Sequence, residues 1–576
     1  MVTLRRGRSP ARPTGRWCRT DWRWPIPSSN GFPSVHRVYS TSVSARSIES
    51  DRQPSSLWTP LRNSIFRNIF IADLLSDTGT FMQSVGASWL MVSLGASATF
   101  VALTQTASSL PFFLFALPAG AIGDIVDRRK LILYSEYWMV AVASVLAIAT
   151  IAGVMTPWLL LTLTFALSAG DAMETPTWRA VLPELVGKSD LAAASALNAI
   201  EFNLARAAGP ALAGALIAAA GVGAAFVVNV LSFAGVIVVI TRWKRPARTS
   251  LVPLETLGGA TVAAVRYVRY SPVLRLAMLR AGVTMFAASA LVALLPSLAR
   301  TMSARATVFG VLLGCFGLGA VLGGLTMQPA RRRWSLESVA ASAVVILGIT
   351  IIAAGQVRSV VFLAMVMLAA GSGWLVFISL IGALVQTLAP DWARARILAI
   401  FILTFQGGLA AGSAVWGAVA TKTGLSTTLL VAGLSTIATI VLGRIAKLPE
   451  TIVDMTPWNH WRMPAIVQEE ASALEHGPVL VTVRYRVRQE HAADFLGAMQ
   501  KYGRIRRRDG AAWWSVFRDL EHADLYLETF LVTSWAEHVR QHERFTRGDQ
   551  DVEAQIREHV EEEPVVQHLI QADINS

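Results

Sequence analysis

Cysteine is nearly absent from this chain: Cys18 and Cys315 are its only two. They form neither a disulfide framework nor a metal-binding spacing. Charge is scarce too. Asp, Glu, Lys and Arg make up 15% of residues, where soluble domains carry about 25%. That excludes an ordinary soluble fold for most of the chain. Acids are scarcer than bases, 38 against 51, which leaves a net charge of +13. The N-terminus lacks the apolar core of a secretory signal. Residues 1–60 are rich in Arg, Pro and Ser. They read as a disordered basic tail, or as sequence upstream of the true start.

What is abundant is apolar sequence. Hydrophobic residues make up 53%, and the mean hydropathy is +0.48. Runs of membrane-spanning length, about 20 residues each, follow one another from Phe66 to Lys447. They predict about twelve spans, at 68–94, 99–123, 130–152, 156–176, 193–219, 222–242, 275–299, 306–328, 335–355, 358–383, 393–420 and 426–446. Basic residues gather in alternate loops: Arg128, Arg129 and Lys130, then Arg242 to Arg248, then Arg331 to Arg333, then Arg394 and Arg396. Positive charge is retained on the cytoplasmic side. Both termini are therefore expected in the cytoplasm of a multi-pass plasma-membrane protein. The basic balance is explained by lipid topology, without nucleic acid.

The apolar region repeats itself at a shift of about 200 residues. Gly79 falls on Gly282, Met82 on Met285 and Gly120 on Gly323. Arg128, Arg129 and Lys130 fall on Arg331, Arg332 and Arg333. Asn203 falls on Gln406, Gly209 on Gly412, Gly214 on Gly417 and Gly221 on Gly424. Parallel repeats of six spans imply an all-α membrane protein of two pseudo-symmetric halves. The expected organisation is 61–247 and 275–449 for the halves, with a cytoplasmic linker at 248–274.

A second linker, 450–475, leads to a soluble domain at 476–576. Its "VLVTVRYRV" alternates as a half-buried strand. The element order reads β-α-β-β-α-β, the ferredoxin-like plan. Trp513, Trp514 and Trp535 are candidates for a pocket, a core or a dimer interface. His538 and His542 share a helical face, but no third metal ligand is evident. No metal or cofactor is expected.

Charges inside spans are costly, so they are candidates for function. Asp73 and Asp77 lie early in the first span, Glu136 in the third, and Asn198, Glu201, Asn203 and Arg206 in the fifth. Asp171 and Glu174 end the fourth. Asp77 falls on Arg280 under the repeat. The two are expected to pair across the cavity in one access state, and Asn203 and Gln406 to line that cavity. The stretch "PAGAIGDIVDRRK" joins the second and third spans. Its Gly120, Asp124, Asp127, Arg128, Arg129 and Lys130 form a candidate gate loop. Glu184 is placed to face its arginines, and Arg396 to partner Asp124. Asp124 falls on Met327 under the repeat, so the second half keeps the bases and lacks the acid.

The Gly-x-x-x-Asp pattern with its trailing Arg-Arg-Lys resembles the loop signature of the major facilitator superfamily. The "D-x-x-D-R-R" form is similar to the branch of the enterobactin exporter and the transmembrane secretion effectors. "FMQSVGASWLMVSLGAS", "LPFFLFALPAGAIGD" and "DAMETPTWRAVLPELV" carry the same likeness. Gly209, Pro210 and Gly214 resemble the fifth-helix signature of antiporters. The resemblance implies a transporter, not an enzyme. It implies export of an amphipathic small molecule (a drug-like compound, a siderophore or a secondary metabolite) by alternating access, with protons as the coupling ion. Uptake is the alternative direction. Here Ile125 and Asp127 stand where the signature has a base and a glycine, and the fourth span lacks the arginine of many drug–proton antiporters. "TSWAEHVRQHERFTRGDQD" resembles the antibiotic-biosynthesis-monooxygenase-like α+β barrels. That implies dimerisation through the C-terminal domain, and leaves open a sensor or monooxygenase-like enzyme there.

Overall fold

A computed structural model describes residues 56–187, 190–243, 257–445, 448, 454, 458 and 477–571, with side chains at all of these except 116–117, 120–125, 179–180, 257–260 and 445. Residues 1–55, which hold nearly all of the expected tail, lie outside the described residues, with 248–256 of the first expected linker and most of the second.

The first six helices are α1 (Ser64–Ser93), α2 (Ala98–Ile125), α3 (Arg128–Ile151), α4 (Pro157–Leu185), α5 (Leu191–Ala220) and α6 (Val222–Arg242). A shorter α7 (Leu257–Tyr270) leads into α8 (Pro272–Met302), α9 (Ala306–Arg333), α10 (Leu336–Gln356), α11 (Val360–Leu388) and α12 (Arg394–Thr423). The last span is broken into α13 (Leu425–Ala438) and α14 (Ile440–Ile445). Twelve spans thus run up and down, each starting within a few residues of its expected place, and α4 runs on to Leu185, well past its expected end at 176.

Ten of them are apolar and long enough to cross a membrane by composition. The two that fall short, α1 and α4, carry Asp73, Asp77, Asp171 and Glu174. Local chemistry sets the helix ends. Asn63 caps α1, Asp127 caps α3 through the Lys130 amide, and Thr156 caps α4 just before a proline at its first position. Gly221 and Gly424, paired by the repeat, both take φ +82° at the turn into the next helix. Only glycine adopts that region freely, so the internal repeat reaches the backbone geometry.

The C-terminal domain is β1 (Val479–Arg486), α15 (Ala492–Asp509), β2 (Trp513–Arg518), β3 (Leu525–Val532), α16 (Trp535–Glu543), α17 (Arg547–Arg557) and β4 (Val565–Ile570). Its antiparallel sheet runs β2-β3-β1-β4. Val479, Val481, Val483 and Tyr485 alternate into a core with Phe495, Met499 and Tyr502 of α15. The order is that of the ferredoxin-like plan, with the second helix divided in two.

Candidate functional site

The C-terminal domain docks where α8 and α12 begin; this end of the bundle is the near end. At the far end the halves are sealed together. Thr99 and Thr421 share a hydrogen bond of 2.8 Å between hydroxyls, and the Thr106 hydroxyl donates to the Ala410 carbonyl at 2.9 Å. Trp89 of α1 stacks on Phe309 of α9, with centroids 6.2 Å apart, and Arg300 of α8 lies over its ring. α5 and α9 cross at Gly214 and Gly310. A Cβ on Gly310 would stand 2.6 Å from the Pro210 carbonyl oxygen, so small residues allow the close approach. Gly209 instead faces Phe81 of α1. At the near end the repeat-related α4 and α11 are at most lightly packed against each other among the described residues. The far end is therefore the more tightly closed of the two.

Inside the first half, acids from four helices converge. Asp73 and Asp77 come from α1, Glu136 from α3, Asp171 and Glu174 from α4, and Glu201 from α5. Glu136 lies within electrostatic reach of Asp73 and Asp171. Glu174 reaches all four of Glu136, Asp171, Asp73 and Asp77, and Glu201 reaches Asp73 and Asp77. Glu136, Glu174 and Glu201 are buried, each with one carboxylate oxygen that has no hydrogen-bond partner among the described residues. Asp73 is fixed by the Trp178 indole N–H, which donates to Oδ2 at 3.0 Å. Asp73 and Asn198 line a small cavity with Phe66, Phe70 and Trp178.

The candidate gate residues sit where two spans of the first half meet. Arg128 Nη1 donates to Glu184 at 2.9 Å. Arg129 turns elsewhere: it donates to the carbonyls of Ile240 and Thr241 at the end of α6. Asp127 serves as the cap of α3, and Lys130 is exposed. The side chains of Gly120 and Asp124 lie outside those described, and Arg396 is half-buried on the first turn of α12.

In the second half, Arg280 is only 3% exposed and binds Glu337 of α10 through both terminal nitrogens, at 2.7 and 2.8 Å. In this access state it is taken by Glu337, not by Asp77. The two amides of the repeat are not joined either. Asn203 donates back to Ala199 of its own helix at 2.7 Å, and Gln406 is half-buried on α12. Arg206 is half-buried, and its backbone packs on Gly317 of α9.

Sequence reasoning missed a buried amide pair, in which Asn229 of α6 donates to Gln83 of α1. Two polar residues in the middle of apolar spans were the signal. It also missed Glu337 as the partner of Arg280, because Glu337 sits at the start of a span and reads as a first-turn acid.

In the C-terminal domain the three tryptophans are not brought together. Trp513 stands exposed on the open sheet face, Trp514 donates to Glu528, and Trp535 is buried beside His538 and His568. His538 and His542 have ring centroids 4.8 Å apart. Among the described residues no group of three His, Cys, Asp or Glu could hold a metal.

The sequence pattern of the transmembrane secretion effectors, within the major facilitator transporters, matches residues 55–576. The chain belongs to this family. The match runs through the C-terminal domain as well as the spans. Among curated proteins, the chain is similar to the staphyloferrin A transporter of Staphylococcus aureus, 26% identical over 26% of this chain and 38% of that protein. The multidrug efflux pump Tap of Mycolicibacterium fortuitum is 25% identical over 58% of this chain and 83% of that one. The enterobactin exporter EntS of Salmonella typhi is 26% identical over 45% and 63%. The chain thus spans less than two thirds of the first and third of these relatives. Among solved structures, a bacterial homologue of the lysosomal transporter Spinster, inward-facing and unoccupied, matches with a TM-score of 0.52 at 15% identity, over 67% of this chain and 96% of that one. The nucleoside transporter NupG matches at 0.52 and 14%, over 66% and 99%. Both share the fold.

Proposed function

We propose that this family member is a secondary active exporter of an amphipathic small molecule, working by alternating access and exchanging protons for substrate. Its relatives include proteins named for multidrug efflux and for siderophore export. The near end would face the cytoplasm, as the basic loops predict, with both termini on that side. Asp124 and Arg396 would meet when this end closes, while the Arg128–Glu184 pair braces the loop.

The observation that carries the coupling is the acid cluster of the first half. Among the described residues, none of Asp73, Asp77, Glu136, Glu174 or Glu201 is ion-paired with a base. An unpaired charge in a low-dielectric interior is expensive, and a buried carboxyl avoids that cost by carrying a proton. When the half opens to water, the proton can leave. Alternate opening at the two ends would make such a cluster a proton carrier.

The test is flux in inside-out vesicles with an imposed pH gradient. The probes are ethidium, as an amphipathic cation, and a catechol siderophore. Gradient-driven accumulation should appear in the native protein and fall about tenfold or more in Asp73→Asn and Glu201→Gln, since each removes an exchangeable proton. Equal accumulation with and without the gradient would overturn proton coupling. Movement only down the opposite gradient would make the protein an importer.

A further inference from the structure

The C-terminal domain does not hang from its linker. It grips the membrane region through four side chains arranged as cation, ring, ring, cation. Tyr267 of α7 and Trp392, in the loop between α11 and α12, meet edge to face with centroids 5.8 Å apart. Arg508 of the domain lies over Tyr267 at 5.0 Å, and Arg544 lies over Trp392 at 4.6 Å.

Both arginines are buried and held in place. Arg508 chelates Asp509 and Asp549 with hydrogen bonds of 2.7 to 3.0 Å. Arg544 donates to the Asp509 carbonyl and to Glu537, each at 2.7 Å. Arg266 of α7 reaches the same Glu537 oxygen at 2.7 Å. Burial opposes the charge on Glu537, but Arg544 and Arg266 outweigh it and hold the carboxyl below its usual range. Glu537 is thus held ionised between the two bases. Tyr267 is 2% exposed and belongs to the apolar core of the second half.

What the grip joins is informative. α7 leads directly into α8, and Trp392 stands two residues before α12. α8 and α12 are helices of the second half that pack against the first half, on α1 and α2. Their near ends must move when access switches. A domain that only needed retention could hang on its covalent linker, without burying two arginines.

We infer that the C-terminal domain is a regulatory clasp: by tying Tyr267 to Trp392 it fixes the near ends of α8 and α12 and favours the near-open state. Whatever loosens the domain's hold then shifts the access equilibrium. The clasp can shift it only by as much as its contacts differ between the states. This rests on alternating access, but not on the direction of transport, the substrate or the coupling ion.

The experiment uses the full chain in nanodiscs, with Cys18→Ser and Cys315→Ser as background. Spin labels are placed at Val126→Cys and Ala395→Cys, exposed positions at the near ends of α2 and α12. Pulsed dipolar spectroscopy reads the distance between them without substrate or gradient, so its outcome is independent of any flux result. The native clasp should give a mainly long distance. Tyr267→Leu with Trp392→Leu, both outside the domain's own core, should raise the short-distance fraction about threefold or more. Arg544→Gln should do the same from the domain side. Hydrogen exchange at β1 and β3 checks that the domain stays folded. An unchanged distribution in the double variant overturns the clasp, whether the domain remains docked or comes away.

Discussion

Arg280 of α8 and Glu337, in the first turn of α10, form a two-pronged ion pair with both terminal arginine nitrogens engaged. The Leu448 amide also donates to Glu337 at 3.2 Å, which ties the segment after α14 to the same carboxylate. Removing one partner of such a pair strands a buried charge. Glu337→Gln should therefore cost about 3 kcal/mol of stability, the low end for buried pairs because Glu337 keeps some exposure. Reversible unfolding in mixed micelles measures it. A cost under about 0.5 kcal/mol, typical of surface pairs, would show that the pair contributes little.

The far-end seal predicts a reversible lock. The hydroxyls of Thr99 and Thr421 lie 2.8 Å apart across the two halves. In Thr99→Cys with Thr421→Cys the thiols should join under mild oxidation and hold the far end shut. Flux should stop on oxidation and return on reduction. Free transport by the cross-linked protein would mean that this seal does not open in the cycle. Gel mobility after cleavage between the halves reports the cross-link.

The spans were legible because each is a long apolar run bounded by caps and bases. The repeat was legible because Gly221 and Gly424 meet the same backbone demand, one that few residues satisfy. The acids of α1, α3, α4 and α5 were visible as costly charges, but their convergence was not. It depends on how helices far apart in sequence turn their faces, and a single chain does not state that. Arg280 was noticed as well, yet its partner was sought in the other half, because the repeat aligned it with Asp77. The repeat gives corresponding positions and says nothing of which contact a given access state makes. The clasp was invisible for a related reason: Tyr267, Trp392, Arg508 and Arg544 are scattered over four segments, and each reads singly as an interfacial aromatic or a surface base.

The dimerisation expected of the C-terminal domain has a candidate surface in its open sheet face. Trp513, Phe517, Val565 and Leu569 lie on it and are each about half exposed, with Leu480, Leu527 and Leu531 between them. A two-fold pairing buries the same patch on both copies, and a second copy is the occupant we assign. Trp513→Asp with Phe517→Asp puts charges into that patch. It should halve the detergent-corrected mass found by light scattering while leaving the domain folded. A native protein that is monomeric across the accessible concentration range would remove this assignment.

His538 gives a pH dependence whose sign can be worked out. It is 1% exposed and sits between Trp535, Phe530, His542 and His568. Burial first, then the charges of His568 and Arg506, push its pKa down from 6.5 to about 3. An unfolded chain takes up a proton there below about 6.5, while the native domain refuses it until about 3. The stabilisation from a neutral His538 is therefore complete above that upper value and is lost as pH falls through the window. For one such group the slope is at most about 1.4 kcal/mol per pH unit. Asp509 acts the other way, since burial lifts its carboxyl to about 6 despite Arg508, and it contributes equally to the native protein and to a His538 variant. The difference between native and His538→Phe isolates the histidine. Hydrogen-exchange protection of the β1 and β3 amides in the intact protein, corrected for intrinsic rates, should fall more steeply from pH 6.5 to 4 in the native chain than in the variant. Parallel declines would mean that His538 is already protonated in the folded domain, and that the aromatic cage around it does not exclude charge.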